Sequence, residues 1–224
     1  MKNFLLCLLI FLFQISYAQK KYHLDYALEF ETSNFLEDES EKRIINYLVD
    51  SKNNAILMTL SEDDSFNYNI YLIDREKLRI FSKVKKLDFQ KAESLNNSCE
   101  SVYVYKCHFG FNEMVENYKF LNLNDTVMNG ISYFHYKSIN IKQKKKKKFF
   151  DVHYIVDKNS PDFLPFLFNN TAYEVWKKVK NIPNGMPFLI FYKNRKGEVT
   201  YKMQLKQYVT INKLMTIPED CELK

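Results

Sequence analysis

The sequence is poor in glycine, with only four glycines among 224 residues, at positions 110, 130, 185 and 197. Because these glycines lie at least 12 residues apart, they cannot form the glycine-rich motifs that cradle nucleotides or carry a nucleophilic serine. A collagen-like chain is excluded for the same reason. Aromatic residues are abundant instead, with 19 Phe, 16 Tyr and 1 Trp. A chain with this many aromatic side chains is expected to fold around a core rather than to stay disordered.

The first 18 residues have the three-part pattern of a secretory signal peptide. Met1-Lys2-Asn3 is a short positive start, residues 4–13 form an apolar run, and a Ser-x-Ala pattern predicts cleavage between Ala18 and Gln19. The run is shorter than the roughly 20 residues that cross a bilayer, and an N-terminal membrane anchor is the alternative. We predict a signal peptide at 1–18 and a single β-rich domain at 19–224 without a membrane-spanning segment. We expect export to the periplasm, the outer-membrane face or the extracellular space.

Three cysteines follow the predicted signal peptide, namely Cys99, Cys107 and Cys221. An oxidising compartment allows one disulfide among them. If the residues between Cys99 and Cys107 form a straight strand, their ends lie roughly 26 Å apart, too far for a disulfide. Either that strand bends sharply or Cys221 is the partner of one of them, and we favour a bridge to Cys221. A catalytic pair of Cys107 and His108 is disfavoured because adjacent strand residues point to opposite faces.

The net positive charge of the chain is concentrated in one short segment. Six lysines cluster at Lys142 and Lys144–Lys148, and without them the acidic and basic residues of 19–224 nearly balance. Nucleic-acid binding usually needs basic residues spread along a groove with stacking aromatics between them, so we predict no nucleic-acid partner. We interpret the lysine run as a solvated hairpin tip, with contact to anionic lipid headgroups as the alternative.

Alternation of apolar and polar residues dominates the chain. Residues 22–30 alternate in this way, and pairs of such runs flank turn clusters at 51–54, 74–77 and 194–197. The pattern predicts a mainly β (α+β) fold with a curved, meandering antiparallel sheet or an open half-barrel. A tightly closed barrel is disfavoured because glycines for sharp corners are scarce.

One helical insertion, at about 160–180, interrupts the strand pattern. Ser160-Pro161 is a helix-start signal, the stretch Thr171–Glu174 has capping-box spacing, and Tyr173, Trp176 and Val179 recur at helical spacing. We predict a helix at 172–180 that covers one sheet face. Its aromatic residues could form a lid over an apolar ligand, and ordinary core packing is the competing interpretation. The ligand-binding hypothesis concerns Phe163, Phe166, Tyr173 and Trp176.

Residues that could carry catalysis or bind a metal are few. His135 and His153 lie on strands that flank the lysine run and could share a metal, but a cross-strand polar pair is favoured. The acidic runs at 37–39 and 63–64 read as solvated loops. We therefore predict no catalytic residue, no metal and no cofactor.

Residues 185–190, Gly-Met-Pro-Phe-Leu-Ile, resemble the motif of the GLPGLI family of exported bacterial proteins. Gly185, Pro187, Leu189 and Ile190 match the motif, Met186 is a mild change from Leu, and Phe188 replaces the second Gly. A Trp and an Ile-Pro pair upstream, here at 176 and 182–183, also fit. The series of hairpins is similar more widely to the lipoprotein-carrier superfamily, whose open half-barrel holds acyl chains.

The GLPGLI resemblance implies location and fold, because that family has no established activity to transfer. Our first hypothesis is an exported, non-enzymatic envelope protein that binds an apolar ligand, a lipid or an envelope protein on a curved sheet. The alternatives are a structural or interaction protein with no small-molecule site, and an exported hydrolase with polar groups converging in a cleft.

Overall fold

In the computed structural model of the protein, the described residues are 19–35, 42–105, 111–142, 150–219 and 221. The predicted signal peptide, the Cys107–His108 pair and Lys144–Lys148 lie outside these ranges. Within the ranges, no helix combines the length and the apolarity needed to cross a bilayer.

Strands make up most of the described chain. In chain order they are β1 (Gln19–Asn34), β2 (Lys42–Val49), β3 (Ile56–Glu62), β4 (Asn67–Asp74), β5 (Leu78–Lys85), β6 (Ser94–Asn96), β7 (Val102–Val104), β8 (Tyr118–Asn122), β9 (Thr126–Met128), β10 (Ile131–Asn140), β11 (Asp151–Asp157), β12 (Pro187–Lys193) and β13 (Val199–Pro218). The helices are α1 (Lys86–Lys91), α2 (Phe111–Glu116) and α3 (Asn170–Val179).

All these strands belong to one sheet with the order β7-β5-β4-β3-β2-β1-β13-β12-β11-β10-β8, and β6 and β9 pair with β13 and β10 outside this path. Neighbours along the path are antiparallel, and the short β6 is parallel to β13. The two ends do not meet, so the sheet is open. The predicted fold class, a mainly β open antiparallel sheet with one late helix, is confirmed.

The alternation in the sequence places the core. On β1, Tyr22, Leu24, Leu28 and Phe30 are buried, while Lys21 and His23 on either side of Tyr22 are exposed. The partner strand β13 keeps these residues in register through two β-bulges, opposite Leu24/Tyr26 and opposite Glu29/Phe30. Each bulge adds a residue to β13 and lets this 20-residue strand bend as it follows β1.

Three local predictions need correction. The signal at Ser160-Pro161 begins no helix, because residues 161–169 form turns and irregular backbone. The late helix begins at Asn170, and its N-cap is Asn169, whose Oδ1 accepts a hydrogen bond of 2.7 Å from the backbone N–H of Ala172. The Thr171–Glu174 spacing therefore lies inside the helix and does not cap it.

The structure joins Cys99 to Cys221, with 5.1 Å between their Cα atoms. This pairing is one of those that the sequence left open. The disulfide fastens the residues after β13 to the 3-10 turn at Cys99–Ser101, next to β7. It therefore links the two ends of a loop of 122 residues.

Candidate ligand-binding site: the covered sheet face

Residues 160–180, which we call the strap, cross one face of the sheet. The strap begins at the end of β11, where Ser160 Oγ donates to the carbonyl of Asp157 at 3.1 Å and accepts from the N–H of Met186 at 2.7 Å. The N–H of Gly185 donates to the carbonyl of Phe163 at 2.7 Å. The first two motif residues thus hold the start of the strap against β11.

Only glycine fits at position 185. Its φ angle is +146°, and a Cβ there would lie 2.4 Å from both the carbonyl oxygen of Asp157 and Cγ1 of Val156. The other motif residues lie on β12: Pro187 is its first residue, Leu189 is buried on the face away from the strap, and Ile190 is fully buried in the main core. The motif residues of this chain therefore have identifiable structural roles.

Arg75, in the turn between β4 and β5, holds the middle of the strap. Its side chain is 5% exposed and donates to the carbonyl of Asn54 at 2.6 Å and to the carbonyl of Leu167. Its Nε donates to Oδ1 of Asn170 at 3.4 Å, and its guanidinium lies 5.3 Å from the centre of the Tyr173 ring. Burial lowers the pKa of Arg75 to about 10, so it remains a cation at neutral pH.

Two further sets of contacts hold helix α3 and the residues just after it. Glu76, next to Arg75, accepts hydrogen bonds from Lys177 Nζ at 2.6 Å and from the Tyr173 hydroxyl at 3.1 Å, and these contacts lower the pKa of Glu76. Just beyond α3, Nδ2 of Asn122 in β8 donates to the carbonyl of Asn181 at 2.8 Å.

These contacts show that the sheet is strongly curved. The β4–β5 turn and β8 are eight strand-to-strand steps apart, which in a flat sheet is roughly 38 Å. The residues that contact them lie in α3 and just after it, at 170–181, and would span only about 17 Å in helical conformation. The sheet must therefore curl around its covered face to bring both contacts within reach.

The residues predicted to bind a ligand lie in the strap, and three of the four are core residues. Phe163, Phe166 and Tyr173 are each 4–5% exposed. Phe166 packs against Phe30 and Tyr47 at ring distances of 5.6 and 5.3 Å, and Phe163 packs against Tyr26 at 5.5 Å. Trp176, the fourth, is half-buried.

Little space is left where Arg75 meets the first part of the strap. The cavity there has a volume of about 10 Å³ and is lined by Arg75, Val49, Phe163, Phe166 and Leu167 among others. A cavity of this size holds about one water molecule. This part of the covered face is filled by side chains.

Beyond Phe166, a row of half-buried rings continues across the covered face. We call it the tyrosine row: Tyr47 of β2, Tyr201 of β13, Tyr192 of β12, Tyr118 of β8 and Phe168 of the strap. Phe168 lies over Tyr192 at 6.2 Å, and Tyr192 contacts Tyr201 at 5.1 Å.

The hydroxyls of Tyr47, Tyr192 and Tyr201 in the tyrosine row are uncharged at neutral pH. Burial, with a smaller effect of Tyr201, raises the pKa of Tyr47 to about 12, and burial also raises the pKa values of Tyr192 and Tyr201. The row thus offers apolar ring faces together with neutral hydroxyls, the combination found in pockets for apolar and amphipathic ligands.

Below the row, Tyr154 of β11 is fully buried and stacks on Tyr136 of β10 at 4.8 Å. Its hydroxyl has no hydrogen-bond partner among the described residues. Sequence reasoning identified neither this residue nor the tyrosine row as functional, because their alternation is that of ordinary core positions. It also missed Arg75, which in the run Asp74-Arg-Glu-Lys77 looks like part of a solvated turn.

The opposite face of β10–β12 carries the histidine pair. His135 Nε2 and His153 Nδ1 share a hydrogen bond of 2.9 Å, and the His153 ring stacks on Phe191 at 4.7 Å. Burial first, then His135 and nearby lysines, lowers the pKa of His153 to about 4. In the described part of the chain, no group of three or more His, Cys, Asp or Glu residues could hold a metal ion.

Comparison with known proteins identifies no family for this chain. No family model matches the sequence, and no curated protein matches it. The resemblance to the GLPGLI family therefore stays a prediction.

Several solved structures are distantly similar. They include the MucA/MucB complex of Pseudomonas aeruginosa, at 8% identity and a TM-score of 0.41 over 83% of this chain and 51% of the matched chain. A putative outer membrane lipoprotein-sorting protein domain from Vibrio parahaemolyticus matches at 11% identity and a TM-score of 0.32, over 83% and 85% of the two chains. A LolA superfamily protein from Nitrosomonas europaea matches at 10% identity and a TM-score of 0.28, over 83% and 84%.

The chain spans about half the length of the MucB structures that it matches. At identities near 10% and TM-scores below 0.5, these similarities establish neither a family nor a function for the chain.

Proposed function

We propose that the chain is an exported, non-enzymatic protein of the bacterial envelope that binds an apolar ligand, such as a lipid acyl chain, at the tyrosine row. The N-terminal pattern supports export, and the motif at 185–190 supports a place among exported bacterial proteins. The observation that carries the binding proposal is the row itself. Its five rings belong to four strands and the strap, and all five remain half-buried in a protein whose neighbouring aromatic residues are fully packed.

The chemistry of the row suits an acyl chain. Aromatic faces exclude water from methylene groups, and each buried methylene contributes about 0.8 kcal/mol to binding. The neutral hydroxyls of Tyr192 and Tyr201 can hydrogen-bond a polar end group without demanding a charge of either sign. Because Phe168 belongs to the strap, a ligand on the row would contact both the sheet and the strap.

The test is a titration of the mature protein with dodecanoate below its micellar concentration. Trp176 is the only tryptophan and lies half-buried in the strap, so its emission reports on binding, and native mass spectrometry gives the stoichiometry. We expect one bound dodecanoate and a change in Trp176 emission. Replacing Tyr192 by alanine removes one ring face and is expected to weaken binding about tenfold.

Tyr71→Ala is the matched control. Tyr71 is a half-buried tyrosine of β4 that stacks on Phe81 at 4.3 Å and has no ring contact with the strap among the described residues. It should bind dodecanoate as the unmodified protein does. If the unmodified protein binds no dodecanoate, or if both variants lose binding equally, the apolar-ligand proposal is wrong and the interaction-protein alternative takes its place.

A further inference from the structure

The longest strand, β13, has an open edge in the middle of the sheet. One side of β13 pairs with β1 along nearly its whole length. The other side pairs with β12 over residues 199–204 and with β6 over 214–216. Among the described residues, no strand pairs with this second side between Leu205 and Lys213. We call this stretch the open edge.

The sequence explains why the edge is open. Strand β12 begins at Pro187, which has no N–H to donate to a ladder, and Gly185 and Met186 before it turn away to bind Phe163, Ser160 and Asp157. Strand β12 therefore cannot extend further along β13. At the far end, β6 is only three residues long. The backbone between the two is left to solvent, and Tyr208 and Val209 are 55% and 54% exposed.

The shape of the open edge favours a single extended peptide as its occupant. The stretch of nine residues is about 30 Å long and is recessed between β12 and β6, which occupy the same side of β13. A second copy of the chain would present the same recessed edge, so the two β13 strands could not approach closely enough to pair. An isolated strand has no such flanks and can enter the gap.

The two β-bulges of β13 set the length of regular pairing. They fall opposite Leu24/Tyr26 and Glu29/Phe30, near the two ends of the open edge. Between them, Gln207–Thr210 keeps an uninterrupted register with β1. A peptide that adds to this segment can form regular antiparallel or parallel hydrogen bonds over about four residues, as in known modes of strand addition.

A cleft beside the open edge can receive one side chain of the peptide. Its volume is about 500 Å³, within the range of small-ligand sites. It lies between the open edge, the start of the β2–β3 turn and the start of the strap. Its apolar lining comes from Tyr26, Phe163, Met186 and Tyr208.

The charges of the cleft specify which side chain fits. Three carboxylates, those of Asp25, Asp157 and Asp162, line it with a single lysine, Lys52. The Asp162 side chain is 93% exposed and forms a long ion pair of 3.9 Å with Lys52 Nζ, so a second cation can approach it from solvent. A lysine or arginine would place its aliphatic stem against the rings and its cationic end among the carboxylates.

We propose that the open edge of β13 binds an extended peptide segment of a partner protein as an added strand, with a lysine or arginine of that segment in the adjacent acidic cleft. Backbone hydrogen bonds supply affinity for any extended segment, and the cleft selects the basic residue. This site is separate from the tyrosine row, so it does not depend on the apolar-ligand proposal.

The first probe is a seven-residue peptide of alternating threonine and valine with a central lysine, acetylated and amidated. Its binding is measured by isothermal calorimetry and by hydrogen exchange of the backbone amides of Gln207–Thr210. Within this segment, the backbone amides that face the open edge have no strand partner among the described residues. They should exchange rapidly in the free protein and more slowly once the peptide is bound. A peptide with alternate backbone N-methyl groups should bind roughly tenfold or more weakly, because it cannot complete the ladder.

The cleft is tested separately. Replacing the central lysine of the peptide by glutamate, or Asp162 by lysine, should each weaken binding about fivefold. Glu116→Lys, the same charge change at an exposed residue at the end of α2, should leave binding unchanged. Three results would overturn the proposal: amides of Gln207–Thr210 that are all protected before peptide is added, a methylated peptide that binds equally well, or equal effects of the two protein variants.

Discussion

Strands β10–β12 present two apolar faces that differ in what covers them. On the covered face, Tyr136, Tyr154 and Ile190 are at most 1% exposed beneath the strap and its neighbours. On the opposite face, Tyr133, Ile155 and Leu189 are 3–8% exposed and form a small cluster of their own with Phe188, which stacks on Tyr133 at 4.7 Å. The same strands therefore contribute to a large core on one side and to a thin surface cluster on the other.

Burial of a residue therefore does not by itself place it in the main core. Among the described residues, the thin cluster is covered by side chains of its own strands and by Met128 of β9, with His135, His153 and Phe191 beside it. The covered face is closed by the strap, a segment outside the sheet, whose Phe168 contacts Tyr154. Loss of a side chain should therefore cost more on the covered face, where more atoms surround it.

The largest predicted effect tests directly whether the two faces differ in the stability that a buried tyrosine contributes. Tyr154→Ala should lower the free energy of unfolding by about 4 kcal/mol, because it empties a fully enclosed site. Tyr133→Ala removes the same atoms from the thin cluster and should cost about 2 kcal/mol, since water can enter the space that it leaves. Urea unfolding of both variants measures the difference. Equal losses would show that the two faces are energetically alike.

A second prediction tests how far the covered face depends on the attachment of the strap. Gly185→Ala should cost about 3 kcal/mol, because the new methyl group meets Asp157 and Val156 and the positive φ is strained. Gly197→Ala is the control: its φ is +80°, but nothing lies within 4 Å of the added Cβ, so about 1 kcal/mol is expected. Thermal unfolding of the two variants compares them. A cost for Gly185→Ala no greater than that for Gly197→Ala would contradict the assigned role of the motif.

The smallest predicted effect concerns the histidine pair on the opposite face and how it makes the free energy of unfolding depend on pH. The folded-state pKa of His153, about 4, lies below the value of about 6.5 in an unfolded chain. As pH falls below about 6.5, the unfolded state binds the proton first, so the free energy of unfolding decreases until the folded state also protonates near pH 4. The two pKa values imply a loss of up to about 3 kcal/mol. Solvent at the half-buried His135 beside His153 reduces the expected loss to roughly 1 to 2 kcal/mol.

His153→Gln should therefore lose less stability between pH 7 and pH 4.5 than the unmodified protein, as measured by urea unfolding at each pH. His23→Gln, at an exposed histidine of β1, is the control and should follow the unmodified protein. Parallel pH profiles for all three proteins would show that the histidine pair does not couple to folding.

Local patterns in the sequence predicted much of the fold. The alternation at 22–30 predicted β1, and the turn clusters at 51–54, 74–77 and 194–197 predicted three hairpins that the structure contains. The spacing of Tyr173 and Trp176 predicted the late helix to within two residues. These features depend on residues close together in the chain, and periodicity reports them well.

The candidate sites could be predicted only in part. The aromatic residues of the strap were identified, but Phe163, Phe166 and Tyr173 lie in the packed interior, whereas the half-buried rings of the tyrosine row come mostly from other strands. Half-burial depends on how closely the strap approaches each strand, and no local pattern records that distance. The sequence did not predict the open edge of β13 either, because that edge depends on where strands β12 and β6 end.

Local sequence patterns alone establish that the chain forms strands in pairs and that its glycines are too few for nucleotide cradles. The need for glycine at position 185 follows only from its contacts with Asp157 and Val156 in the folded structure. Tertiary structure decided the disulfide partner, the curl of the sheet, the contacts of Arg75 with the strap and the gap beside β13. The physical reason is the distance along the chain over which each effect acts. Alternation and turn propensity act between neighbours in the chain, whereas these other features arise where segments tens of residues apart compete for the same space and the same hydrogen-bonding groups.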